Sequence, residues 1–201
     1  MTNQIVNQGQ WGICGFVAVL NALHQTGTIK EFGKGLTLED INKRLGAELV
    51  TFLKIIKEEN PDIGTEIVKF TQSFGSPYNS YKSIDQLVEK IKQDLINSSI
   101  LTETIINTPG FGIAMTADAV KLYLEKFANL SIEAKKQLDI GKLSQYKNCV
   151  IGLGNDNKLK HWVYIDKEGY LYNWGNKQKD LTELKNYNFI DSVFEIKGVK
   201  V

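Results

Sequence analysis

The chain reads as an α+β protein, and three observations lead there. Apolar residues recur at helical spacing from Cys14 to about residue 138. After Gly141 they come instead in short, β-branched and aromatic runs parted by turn residues. Pro61, Pro77 and Pro109, the three prolines, fall between helical stretches rather than inside them. Together they predict an N-terminal helical lobe of about 14–140, then a C-terminal antiparallel β lobe of about 146–201. The 201 residues suit one domain with a large core.

In order, residues 1–13 read as an extended lead-in that crosses between the lobes. Cys14–Gln25 is a densely apolar helix ending near Gly27. Thr37 caps a helix with Leu38, Ile41 and Leu45 on one face, which Gly46 breaks. A second helix carries Leu49, Phe52, Leu53 and Ile56 and stops before Pro61, and residues 63–74 form another before Gly75-Ser76-Pro77. Ser83-Ile84-Asp85-Gln86 is a capping box opening a helix to about Asn97. Thr108-Pro109-Gly110-Phe111-Gly112 is a break. Thr116 caps a helix through Phe127, and a shorter helix spans about 131–138. The strands are Cys149–Leu153, His161–Asp166, Tyr170–Asn173 and about Phe189–Ile196, with turns at Asn155-Asp156-Asn157 and Glu168-Gly169.

Composition narrows the function. A net charge of +1 gives no electrostatic reason for nucleic acid or an anionic membrane as partner. No run of about 18 apolar residues predicts a membrane span, and Met1-Thr2-Asn3-Gln4 lacks the features of a signal peptide. The 23 lysines against the single Arg44, with many asparagines, suggest an AT-rich genome. Two cysteines, Cys14 and Cys149, predict free thiols rather than a bridge. Cys149, in a continuous apolar run, reads as inert. No metal site is predicted, since neither Cys-x-x-Cys nor His-Glu-x-x-His occurs. Gly110-Phe111-Gly112 has no surrounding phosphate-binding motif, so no cofactor is expected.

The chemistry centres on Cys14. At a helix start, a thiol meets unpaired backbone N–H groups and the positive end of the helix dipole, which favour the nucleophilic thiolate. A glutamine side chain just upstream, Gln8 or Gln10, would add an N–H donor to that of Cys14, giving two donors for an oxyanion. The base has to be His161, because the other histidine, His24, lies ten residues along the Cys14 helix, about 15 Å away at 1.5 Å per residue. The imidazole also needs an orienting acceptor. Asn173, across the hairpin, is favoured over Asp166, which is five residues from His161 on one strand and so on the opposite face.

The set Gln8-Gly9-x-x-Gly12-x-Cys14, then His161, then Asn173-Trp174-Gly175 resembles the papain-like cysteine peptidases in residue order and in the glutamine-to-cysteine spacing. The Cys14-Gly15 pair before an apolar helix also resembles the bacteriocin-processing cysteine peptidases, which use aspartate as third member. The likeness covers two short windows. Trp11, Ile13 and Gly15 depart from papain, and no serine stands between Asn173 and Trp174. In papain-like enzymes histidine and asparagine follow the cysteine by roughly 130–150 residues. Here the intervals are 147 (161 − 14) and 159 (173 − 14).

The resemblance implies a papain-like fold and a thiol hydrolase acting on a protein or peptide substrate. In it Cys14 is nucleophile, His161 base and acid, Asn173 orienter, Gln8 oxyanion donor, and Trp174 a shield over the Asn–His contact. Deamidation or transamidation of glutamine, and cleavage of cell-wall peptides, use the same apparatus in related folds. The short lead-in implies a missing or trimmed inhibitory pro-segment. The expected setting is the cytoplasm, or delivery into a target cell as a bacterial effector or toxin. A non-catalytic interaction module is the alternative of another class. The sequence leaves the oligomeric state open.

Overall fold

The computed structural model describes Gln8 and residues 12–27, 38–93 and 112–200. It is an α+β structure that divides into two compact units. Of the described residues, one comprises Gln8, 12–13, 38–93 and 112–116, the other 14–27 and 117–200. This division differs from the expected lobes of about 14–140 and 146–201, because the Cys14 helix belongs with the sheet.

The first unit is helical. α2 (Leu38–Glu59) runs on through Gly46 without the expected break. Glycine costs a helix interior only about 1 kcal/mol, and Leu45, Leu49, Phe52, Leu53 and Ile56 bury one face of α2 on both sides of it. α3 (Pro61–Gln72) places proline in its first turn, where no N–H is needed. α4 (Ile84–Ile91) is capped by Ser83, whose side chain accepts from the Gln86 N–H at 3.3 Å. The Gln86 side chain returns the bond, accepting from the Lys82 N–H at 2.6 Å. The stretch expected to carry this helix on to Asn97 lies outside the described residues beyond position 93, as do Leu38 and Ile41 as side chains and most of the lead-in.

The second unit holds α1 (Cys14–Gln25), α5 (Ala117–Leu122) and the sheet. α1 spans the expected range, and Gly15 to Leu23 are all buried. α5 passes into a wider turn over Tyr123–Phe127, closed by the Ala128 N–H donating to Tyr123 O at 2.9 Å. The strands are β1 (Leu130–Asp139), β2 (Cys149–Asn155), β3 (Lys158–Ile165), β4 (Leu171–Asn173), β5 (Asn176–Gln178) and β6 (Phe189–Val199). They pair antiparallel in the order β1-β6-β2-β3-β4-β5.

β1 corrects the helix expected over about 131–138. Ala134, Lys135, Lys136 and Leu138 are good helix formers, yet the segment pairs with β6 along nearly its whole length. Cross-strand pairing outweighs such weak local preferences. Glu133 and Glu195 alternate with Lys135 and Lys197 in ion pairs of 2.6–3.7 Å on one face. A charged edge strand of this kind resists pairing with further chains.

One face of the sheet buries Cys149, Ile151, Leu153, Val163, Ile165 and Leu171, with Leu143, Leu184, Ile190 and Val193. Ile190 and Val193 share this face despite an odd spacing, because a bulge interrupts the β2–β6 register between Gly152 and Leu153. On the other face Trp162 stacks with Phe194 at 5.9 Å and Tyr164 meets Tyr172 at 5.5 Å. No helix of the described residues is long and apolar enough to cross a membrane.

Candidate active site

Three backbone devices aim the site. The β2–β3 ladder pairs Leu153 with His161, then Gly154 with Leu159, so Lys160 is the extra residue of a bulge immediately before His161. Bulges bend a strand and redirect its side chains. The bend needs glycine at 154, where a Cβ would run into Lys158 O and the Phe189 ring.

The second device is the end of the β3–β4 ladder, which pairs only Tyr164 with Tyr172 and Ile165 with Leu171. Extending that register sets Val163 opposite Asn173, so His161 is the diagonal, same-face neighbour of Asn173. The Trp162 N–H lies beyond the ladder and donates to the Cys14 sulfur. The third is the two-residue turn Trp174-Gly175 joining β4 to β5, with φ of +48° and +74°. Positive φ at both positions is the type I′ hairpin geometry, and a bulky residue rarely adopts it.

These devices bring together three of the four expected residues. His161 Nε2 lies 2.7 Å from Asn173 Oδ1. An amide oxygen only accepts, so Nε2 carries the hydrogen and Nδ1 remains for the bond with Cys14. His161 and Asn173 are 4% and 7% exposed, whereas Cys14 keeps partial access to solvent. Trp174 lies parallel to the imidazole at 4.9 Å and is itself 51% exposed. Tyr187 lies parallel to it at 5.9 Å.

The electrostatics favour an ion pair. Burial alone would push the Cys14 thiol up. The charge and hydrogen bond of His161, with the N–H groups of Trp162 and Gly15, outweigh burial and leave Cys14 below the ordinary thiol value. Burial would likewise push His161 down, but Cys14, the Asn173 hydrogen bond and the charge of Glu183 lift it above its ordinary value. Cys149 is the contrast: burial and the nearby Glu195 push it up to about 12.

Asp166 is engaged elsewhere. Its carboxylate accepts from the N–H groups of Glu168 (2.9 Å) and Tyr170 (2.8 Å) and from the Tyr172 hydroxyl (3.2 Å), and it pairs with Lys177 at 3.4 Å. Lys177 in turn sits 4.5 Å over the Tyr170 ring, tying the β4–β5 hairpin to the turn. Gln8 is 4% exposed and belongs to the helical unit, and Gln10 lies outside the described residues.

Sequence reasoning missed Glu183 and Tyr187. Glu183 Oε1 accepts from Asn173 Nδ2 at 2.6 Å. It rides on a 3-10 turn, Thr182–Asn186, begun by Asp180, which accepts from the Thr182 N–H at 2.8 Å and from the Thr182 hydroxyl. The buried Leu184 anchors the same turn in the core. The one local signal was the aspartate two residues before a threonine, a turn pattern that names no partner. Among the described residues no group of three or more His, Cys, Asp or Glu could hold a metal ion. Comparison with family models, curated proteins and solved structures finds nothing that matches this chain.

Proposed function

We propose that the protein is a papain-like thiol hydrolase that cleaves amide bonds of a protein or peptide through a thioester on Cys14. One observation carries the reading: a nucleophile at a helix start, its sulfur bonded to an imidazole whose other nitrogen is held at 2.7 Å by an amide oxygen. The Cys14 thiolate attacks the carbonyl carbon, and the oxygen takes up the negative charge. The N–H of Cys14 is the proposed donor to it, and Gln8 is the second donor that the resemblance implies. His161 Nδ1–H protonates the departing amine as the C–N bond breaks, leaving the thioester. Neutral His161 then takes a proton from water, which attacks the thioester and releases the acid and the thiolate. Asn173 holds the ring in line through both halves.

The test is the pH dependence of Cys14 alkylation by iodoacetamide, read by mass spectrometry in the wild type and in His161→Ala. Rapid modification at pH 5–6 that disappears in the variant is the expected result. Equally slow modification in both would discard the hydrolase reading in favour of a core cysteine.

A further inference from the structure

We propose that Glu183 is a positioning residue of this site: by accepting from Asn173 Nδ2 it decides which end of the amide faces His161. The inference rests on the thiol-hydrolase reading above.

An asparagine amide can present either its oxygen or its NH₂ to an imidazole, and the two ends differ little in shape. Only the oxygen suits a ring that must carry protons on both nitrogens, because an NH₂ facing Nε2 would require that nitrogen bare. A carboxylate is an acceptor, so at 2.6 Å from the amide it takes the N–H end and leaves Oδ1 for His161 at 2.7 Å. The result is a chain Glu183–Asn173–His161–Cys14 in which each hydrogen bond fixes the direction of the next. It also places a second negative group near the imidazole, opposed to the Cys14 side.

The local fold is arranged to hold that carboxylate. Leu184 is buried in the sheet's core, and the Asp180 carboxylate accepts from the Thr182 N–H where the turn that presents Glu183 begins. Tyr187, whose N–H donates to Leu184 O at 3.1 Å, leaves the same turn to lie against the imidazole. Thus one short segment, residues 180–187, supports both the orienter and the ring. The groups that bear on His161's protonation are Cys14, Asn173 and Glu183, with Tyr187 beside the ring.

The test compares the full chain with Glu183→Gln and Glu183→Ala, using two readouts. NMR titration of the His161 imidazole is direct, because His24 is the only other histidine. Iodoacetamide alkylation of Cys14 at pH 5.5 reports the thiolate. In Glu183→Ala, His161 is expected to titrate at lower pH and alkylation to slow on the order of tenfold. Glu183→Gln, equal in size, is expected between the two, since its amide can hold Asn173 either way round. A thermal midpoint on each variant separates folding from positioning. If the wild type reacts at pH 5.5 and both variants match it in titration and rate, the role of Glu183 is overturned while the thiolate reading stands. Lowered thermal midpoints with an unchanged His161 titration would make Glu183 a structural anchor only, and would overturn it too. Slow alkylation of the wild type would overturn both.

Discussion

His161 Nε2 and Asn173 Oδ1 meet at 2.7 Å although the ladder joining their strands stops before either residue. The contact is diagonal, made by side chains where the backbone pairing has ended. That break lets the Trp162 N–H reach the Cys14 sulfur, and one strand thereby serves both the base and the nucleophile.

The two shifts set a window for activity. Cys14 is held below the usual thiol value and His161 above the usual imidazole value. The thiolate–imidazolium pair forms as pH rises through the lowered Cys14 value and is lost as pH passes the raised His161 value. Single-turnover acylation by an amide substrate should therefore be bell-shaped, with its basic limb above about 6.5. In His161→Ala, alkylation at pH 5.5 should fall on the order of 100-fold, toward an ordinary thiol with a value near 8.5. A wild-type alkylation profile rising only near that value would contradict the ion pair.

Thiol counting offers a quick check. With Cys149 pushed up to about 12, it is almost wholly protonated at neutral pH. The native chain should take one iodoacetamide label at pH 7 and the unfolded chain two, measured by intact mass. Rapid double labelling of native protein would contradict the burial of Cys149.

Asn173→Asp should leave His161 better supported than Asn173→Ala does. The new carboxylate would stand where Asn173 Nδ2 now meets Glu183 at 2.6 Å, so the two carboxyl groups share one proton. The charge that remains lies beside the imidazole, and His161 should stay charged to at least as high a pH as in the wild type, whereas the Ala variant loses that support. NMR titration checks this, and an Asp variant in which His161 titrates no higher than in the Ala variant would refute it.

Trp174→Asn separates fold from chemistry. Asn-Gly suits a type I′ turn far better than Trp-Gly, and the ring lost is half exposed. Thermal unfolding should change by no more than about 1 kcal/mol, since relieved backbone strain offsets lost stacking. Cys14 reactivity should nonetheless fall several-fold as water reaches the His161–Asn173 bond. A loss beyond about 3 kcal/mol in chemical denaturation would make the tryptophan structural.

Gly154→Ala should be costly despite adding one methyl. The Cβ would meet Lys158 O and the Phe189 ring, and overpacking of this kind costs about 1–3 kcal/mol. Because the bulge precedes His161, urea unfolding and Cys14 alkylation should both suffer. A variant as stable and as reactive as the wild type would remove the bulge from the account.

Much of the sheet-bearing unit was legible in sequence. The apolar run from Phe16 marks α1, and Asp156-Asn157 and Glu168-Gly169 mark two hairpins by their turn chemistry. His161 and Asn173 could be paired on paper because strand alternation gives each a face. β1 was misread because Ala134, Lys135, Lys136 and Leu138 favour a helix locally, while the pairing that decides the matter comes from residues 189–199. Gly46 was misread because burial of α2 on both sides of it outweighs its intrinsic cost. Glu183 was invisible for a different reason. Its partner is ten residues away on another element, and no periodicity links an exposed glutamate to an asparagine across a turn.

α1 has a consequence for how the chain can drift over generations. Gly15 to Leu23 have no solvent face at all, whereas α3 and α4 each leave one side to water. Neutral variation should accumulate on the outward sides of α3 and α4, yet find almost no foothold along the nine residues behind Cys14. The nucleophile is thus mounted on the stretch least free to vary, and lineages of this protein should diverge around it while the helix itself stays nearly still.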